Sequence, residues 1–346
     1  MLLSVKHSFL LALGAVSLWG CTLIDEDMRD CETDYHLDYE LRLVTNMTTE
    51  LQTQLTLAAD VKLSAALKAY LQEVFTDYAH DVDLGFYDVA ADSARLHHEH
   101  HVMDDNQSSY TLDIPVRRYQ HLAVANVENK GAVTLQGEQK CHGARLHQAI
   151  GDTIAPHKTG LFTARLPMDI KEGENQQFDV RLYMANCASA IVLDTLGSGI
   201  KDLNVVAAGF ATDFDVADSV YRFAYSPVYR TRRISVPDAP GTPDCFAAVT
   251  FPSHPEPSTK VVIDGNDPFV TSGTDYSLWQ YRVYAMLADR TVTETVLGVR
   301  KALQPGQFKI VKVKVKPDGS AQPEDTSVGV SITLNWEAGM KIDYEF

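Results

Sequence analysis

Apolar and polar residues alternate with a period of two over most of the chain, the pattern of strands that bury one face. The stretch 36–44 sets the type: Leu37, Tyr39, Leu41 and Leu43 fall on one face, Asp38, Glu40 and Arg42 on the other. The same reading places strands at 82–88, 110–114 and 122–125, then at 160–166, 178–184, 190–193 and 203–209. A last series follows at 277–287, 291–297, 309–315 and 328–334. One segment departs from this period. Over 60–78, Leu63, Leu67, Leu71, Val74 and Tyr78 recur at spacings of three and four, which predicts an amphipathic helix with Asp60 as its N-cap. Pro237, Pro240, Pro243, Pro252, Pro255 and Pro257 mark a long irregular loop. The run from Lys309 to Lys316 alternates lysine with Ile and Val, as expected of an edge strand whose lysines discourage aggregation. Residues 341–346 also alternate and are expected to complete a sheet of their own chain. Short strands with Gly and Pro turns predict an all-β protein built of sandwiches.

The first twenty residues follow other rules. Lys6 precedes an apolar run from Phe9 to Val16, and Leu18-Trp19-Gly20-Cys21 closes it. The run is short of the ~20 residues a bilayer span needs, and it has the layout of a secretory signal peptide over 1–20. The last four residues resemble a bacterial lipobox, with the bulky Trp19 as its departure. That resemblance implies that Cys21 receives a diacylglycerol and an N-terminal acyl chain. Acyl chains contribute about 0.8 kcal/mol per buried methylene, so two or three of them hold a protein stably on a membrane. Residues 21–34 are then a lipidated tether. Its acidic stretch, Asp25-Glu26-Asp27 with Asp30, resembles the signal that sends some lipoproteins to the outer face of the outer membrane.

Length and charge narrow the class. At about 150 residues per domain, the 346-residue chain divides into two, expected at 35–150 and 151–346. The formal charge is −16, and more negative still once Lys6 leaves with the signal. Such a body argues against nucleic acid and against direct adsorption to anionic lipid, both of which require clustered Lys and Arg. Four cysteines remain besides Cys21, namely Cys31, Cys141, Cys187 and Cys245. An exported chain permits disulfides, and four cysteines allow three pairings. Cys31 with Cys141 is the favoured pair, because both would belong to the first domain.

Candidate chemistry is sparse. His97-His98-Glu99-His100-His101 offers ligands of the kind zinc or copper takes. On a strand, however, His97, Glu99 and His101 face one way while His98 and His100 face the other, so at most three converge. Val102 also breaks the His-Glu-x-x-His spacing. An exposed polar hairpin without metal is the expectation. Ser198-Gly199-Ile200-Lys201 matches Ser-x-x-Lys, but the companion Ser-Asp-Asn element is absent from the sequence, so the match is read as chance. Nucleophile elbows, phosphate loops and dinucleotide fingerprints are missing too, so neither an enzyme nor a cofactor is expected. Trp279, near Tyr276 and Tyr281, and Trp336 could serve as an aromatic platform for sugar rings, the basis of an alternative reading as a surface glycan-binding lipoprotein. Core packing is the commoner fate of such residues.

The order of several short motifs resembles the FimB/Mfa2 family of fimbrial anchor proteins. These are the opening Cys21…Glu26-Asp27-Met28…Asp30-Cys31, the 82–88 strand, Tyr110-Thr111-Leu112-Asp113-Ile114-Pro115 running on to Leu122-Ala123-Val124-Ala125-Asn126, and the ending Ile332-Thr333-Leu334-Asn335-Trp336-Glu337-Ala338-Gly339-Met340. After Pro115 this chain has Val116-Arg117-Arg118 where the family places a glycine turn. The resemblance implies two transthyretin-like Greek-key β-sandwich domains with a helical insertion in the first. It further implies a lipid-anchored base for a fimbria on the outer membrane, with fimbrial shaft subunits as partners, joined by strand exchange. A role in limiting shaft length is implied on the same ground alone.

Overall fold

In the computed structural model the described residues are 34–44 and 61–333, except the loop positions 76–78, 90–92, 103–108, 128–130, 150, 152, 173–175, 196–198, 224–227, 237–242, 256–276 and 325–327. The elements in chain order are β1 (Asp34–Val44), α1 (Val61–Val74), β2 (Asp81–Asp88), β3 (Arg95–Val102), β4 (Ser109–Pro115), β5 (Arg118–Ala125), β6 (Val133–Gln136) and β7 (Arg145–Gln148). There follow β8 (Phe162–Asp169), β9 (Gln177–Met184), β10 (Cys187–Asp194), β11 (Asp202–Ala208), β12 (Asp213–Asp215), β13 (Val220–Arg222), β14 (Tyr229–Arg230) and β15 (Arg232–Ile234). The last are β16 (Asp244–Thr250), β17 (Trp279–Met286), β18 (Val292–Val299), β19 (Phe308–Val315), β20 (Ala321–Pro323) and β21 (Val328–Thr333). The expected all-β class is what the structure has.

The strands form four sheets. The first holds seven in the order β3-β2-β5-β8-β9-β1-β4, and a small sheet, β13-β12-β7-β6, covers part of one face. Alternation sorts the two faces of β2 and β5. Val82, Leu84, Phe86, Ala123 and Ala125 turn toward α1, whose Leu63, Leu67, Tyr70, Leu71 and Val74 pack into the same core. Tyr87, Leu122 and Val124 turn instead toward Leu146, Phe214 and Cys141 beneath the small sheet. Leu63 and Leu67 are wholly buried; burial of this kind contributes about 1.5–3 kcal/mol per side chain.

The other two sheets, β15-β16-β10-β19-β20 and β14-β11-β17-β18-β21, form a sandwich. Ile191, Leu193, Phe246, Val311 and Val313 meet Val205, Trp279, Tyr281 and Val283 between them. The outer face of the first of these sheets is not left to water. Ala188, Ala190, Val192, Ala247, Val249, Phe308 and Ile310 join the core that α1 and the seven-stranded sheet share, and Arg232 lies over the Tyr70 ring at 5.0 Å.

Three expectations are revised. The stretches 160–166 and 178–184, assigned to a second domain beginning at 151, become β8 and β9 of the first sheet. Arg118–Ala125 pairs antiparallel with Asp169–Phe162, and Asp38–Val44 pairs parallel with Gln177–Tyr183. Strand pairing joins segments far apart in sequence, and local spacing does not report it. The proline-rich loop is interrupted between Pro243 and Pro252 by β16, which lies between β10 and β15 and is buried from Cys245 to Thr250; the prolines sit outside its ladder, where strands tolerate them. The lysine-rich strand β19 is interior rather than an edge. It runs parallel to β10, and β20 pairs with its Val313–Val315 segment. The predicted helix and strands at 82–88, 110–114, 122–125, 190–193, 203–209, 277–287 and 291–297 appear within a few residues of their expected bounds. Asp60, Tyr78 and 334–346 lie outside the described residues.

Two buried histidines mark where the layers meet. His157 Nε2 donates to Gln148 Oε1 (2.6 Å), which also accepts from the Tyr229 hydroxyl (3.2 Å), and Asn186 Nδ2 lies 3.4 Å from the other ring nitrogen of His157. His121 contacts the Gly85 carbonyl (3.0 Å) and stacks on Phe86 at 4.3 Å. Burial lowers both, His121 to about 4 and His157 to about 3, so each is neutral in the fold. The unfolded chain takes up protons as pH falls through about 6.5, whereas the folded chain refuses them. Each histidine should therefore withdraw stability on acidification, at about 1.4 kcal/mol per pH unit, until its folded value is reached. Urea midpoints should fall between pH 7 and 4.5, and fall less steeply for His157→Gln; parallel profiles for the two proteins would reject this assignment.

Candidate functional site: the β3 edge and the cysteines

β3 is the terminal strand of the seven-stranded sheet, laddered among the described strands to β2 alone. Its side chains alternate between half-buried and exposed along its length, the mark of a strand at the rim of two layers. Leu96 is 41% exposed and Val102 79%. Polar residues fill the rest, which suits an edge that must not pair at random.

The five-residue His/Glu run resolves into two clusters on opposite faces. On the α1 side, Glu99 lies between two imidazoles, with His97 Nε2 at 2.8 Å from Oε1 and His101 Nε2 at 2.6 Å from Oε2. The Phe86 and His97 rings are 5.7 Å apart. On the other face, a carboxylate from the neighbouring strand occupies the middle. Asp83 Oδ1 is 3.0 Å from His98 Nε2 and 3.3 Å from His100 Nδ1. The register sets this up, because Asp83 stands opposite His100 and Gly85 opposite His98. The Tyr87 ring lies over Gly85, where a Cβ would come within 2.6 Å of it, and its hydroxyl donates to the Glu138 carbonyl. As the side chains stand, among the described residues no three such donors enclose a point that would hold a metal; they hydrogen-bond to one another instead. Sequence reasoning found the histidines, but Asp83 was invisible to it, since only pairing between strands brings it there.

The other candidates separate. Cys21, the expected lipidation point, and Cys31 lie outside the described residues. Cys141, expected to pair with Cys31, stands as a free thiol of 1% exposure, raised by burial first and by Asp218 second. Cys187 and Cys245 are likewise free and buried, both pushed up to about 12 chiefly by burial. Ser198 lies outside the described residues. Trp279 and Tyr281 are at 0% exposure, and the Trp279 indole donates to the Lys301 carbonyl at 3.0 Å. They are core, so neither can form the sugar platform considered above. Trp336 and Tyr276 lie outside the described residues.

No family profile matches this sequence, and no curated protein sequence matches it. Solved structures do. A candidate adhesin from Bacteroides ovatus aligns over 91% of this chain and 98% of its own, at 10% identity and a TM-score of 0.51. The fimbrial anchor protein Mfa2 from Porphyromonas gingivalis aligns over 87% of this chain and 98% of its own, at 10% identity and a TM-score of 0.45. At such identity the Bacteroides ovatus likeness is one of fold.

The buried thiols make a direct prediction. Iodoacetamide applied to the native protein should leave Cys141, Cys187 and Cys245 unlabelled, and denaturation without reductant should expose all three. A Cys31–Cys141 disulfide peptide in a non-reducing digest would contradict the free thiol.

Proposed function

We propose that this chain is a surface lipoprotein at the base of a fimbria, attached to the outer membrane through Cys21 and holding fimbrial subunits through its sheet edges. The observation that carries this reading is the lipobox-like cysteine followed by a short acidic tether and then a body of this fold. The structural relative from Bacteroides ovatus is an adhesin candidate, which agrees with a body that works at the cell surface by binding. The motif order described above points the same way. Catalysis is not part of the proposal.

The physical mode is β-augmentation. An edge strand presents unpaired N–H and C=O groups, and an extended segment of a partner can complete the ladder while alternate side chains settle into apolar pockets. β3 is one such edge. The acyl chains supply the attachment that a net negative body could not obtain from anionic lipid. Ending assembly, and so limiting shaft length, follows if the anchor occupies one end of the subunit row and offers no further site.

Two outcomes test the two halves of the proposal. Cys21→Ala should move the protein from the membrane fraction to the soluble fraction, with its far-UV circular dichroism unchanged; retention of the variant on membranes would sink the lipid claim. Deletion of the gene should leave fimbriae shed into spent medium, or abnormally long, by immunoblot and electron microscopy. Fimbriae unchanged in number, length and attachment would remove the anchoring role.

A further inference from the structure

The open part of the β3 edge has definite bounds. Its ladder to β2 runs without interruption from His97 to Val102, and the register shifts between Phe86 and Tyr87 opposite the start of the strand. On the N-terminal side of that shift a neighbouring segment covers the strand: Ala94 bridges to Lys140, and the Arg95 N–H donates to the Gln139 carbonyl at 3.0 Å. Along 97–102 no described strand other than β2 pairs with it. These six residues are the stretch where an added strand can continue the sheet.

The same six residues carry four histidines, whose contacts with Glu99 and Asp83 place imidazoles on both faces. With the imidazoles neutral, the two carboxylates set this stretch at −2; with all four protonated it stands at +2. Histidine is the side chain whose ordinary pKa falls between pH 5 and 8. The four side chains are 31–41% exposed, so protons reach them from solvent. The other charged groups facing the strand are Asp81 on β2, whose carboxyl is raised chiefly by burial, Arg95 on β3 itself, Glu138 at 4.0 Å from Arg95, and Lys140 at the bridge. The swing of four charge units comes from the imidazoles and is superposed on whatever these groups contribute.

The direction of the swing selects the partner. Two carboxylates alone would suit a basic strand, and histidines that charge in acid would only drive it off. An acidic strand fits the reverse. At neutral pH it meets an anionic edge on a chain of formal charge −16 and is repelled. In acid its alternating residues meet imidazolium on both faces, and opposite charges side by side across strands stabilise the pairing. Exposed Leu96 and Val102 add apolar contact at the two ends. We propose that residues 97–102 are a docking edge for an extended acidic segment of a partner protein, closed at neutral pH and opened by mild acid. This rests on the reading of the sheet edges as the gripping surface and adds to it the chemistry of what one edge grips and when.

The test is fluorescence anisotropy of a rhodamine-labelled eight-residue peptide alternating Val with Glu, titrated with the full-length chain in detergent at pH 7.5 and 5.5. Binding should be at least about 10-fold tighter at pH 5.5, and a Val–Lys peptide should bind more weakly in acid. Replacing alternate Val of the Val–Glu peptide by Pro, which cannot donate to a ladder, should abolish binding. His97→Gln/His98→Gln/His100→Gln/His101→Gln should remove the pH difference, whereas His142→Gln, away from this edge, should keep it. If the quadruple variant does not fold, His98→Gln/His100→Gln replaces it and should reduce the pH ratio. No binding of the Val–Glu peptide at pH 5.5, equal affinity at the two pH values, undiminished binding of the Pro peptide, or an unchanged ratio in the histidine variants would each overturn the proposal. Purified chain and peptide are the only components, so these outcomes are separate from whether gene deletion releases fimbriae.

Discussion

The structure depends on a middle layer that is apolar on both faces. β10 runs Cys187-Ala188-Ser189-Ala190-Ile191-Val192-Leu193 with every one of these residues buried. Ile191 and Leu193 serve the sandwich core, while Ala190 and Val192 serve the core shared with α1. A strand of this kind cannot face water on either side, so it must be covered twice. Its neighbours β16 and β19 obey the same demand. Small residues such as Ala188, Ala190, Ala247 and Ala248 let the covering layers approach closely, and the two halves of the molecule are thereby packed against one layer. The helix finds its place through the same demand, since α1 covers apolar surface that the strands alone leave exposed.

This arrangement pushes the polar chemistry to two kinds of place. Inside, a few polar groups such as His157, Gln148, Asn186 and Tyr229 are admitted because they satisfy one another, and a buried donor or acceptor without a partner costs more than a made bond returns. Outside, the rim strand β3 gathers four imidazoles around two carboxylates, one from its own strand and one from β2. The anchoring role proposed for this chain needs rims of this sort, because strand edges are where a second chain can join a sheet. It also needs rims that stay silent until the right partner arrives, and polar edges provide that.

Much of this was legible in the chain. The spacing of Leu63, Leu67 and Leu71 specified a helix and the face it buries, and the alternation at 82–88 and 122–125 specified strands and their inward residues. Both signals are local, set by the geometry of one element against one apolar surface. Trp279 and Tyr281 were ambiguous for the same reason: a sequence gives residue type and spacing, and an aromatic on a strand can face a core or a ligand. β16 was obscured by the prolines on either side, since its uninterrupted apolar run has no period to count.

The sequence by itself determined the all-β class, the helix, the acidic body and the lipobox-like opening at Cys21, because each depends on neighbours within a few residues. Only the tertiary structure decided that β8 and β9 belong to the first sheet, that the lysine strand β19 is interior, and that Asp83 completes a cluster with His98 and His100. Those outcomes rest on pairing between segments distant in the chain. Register fixes which side chains meet, and the free energy that selects it comes from burying both faces of the middle layer at once.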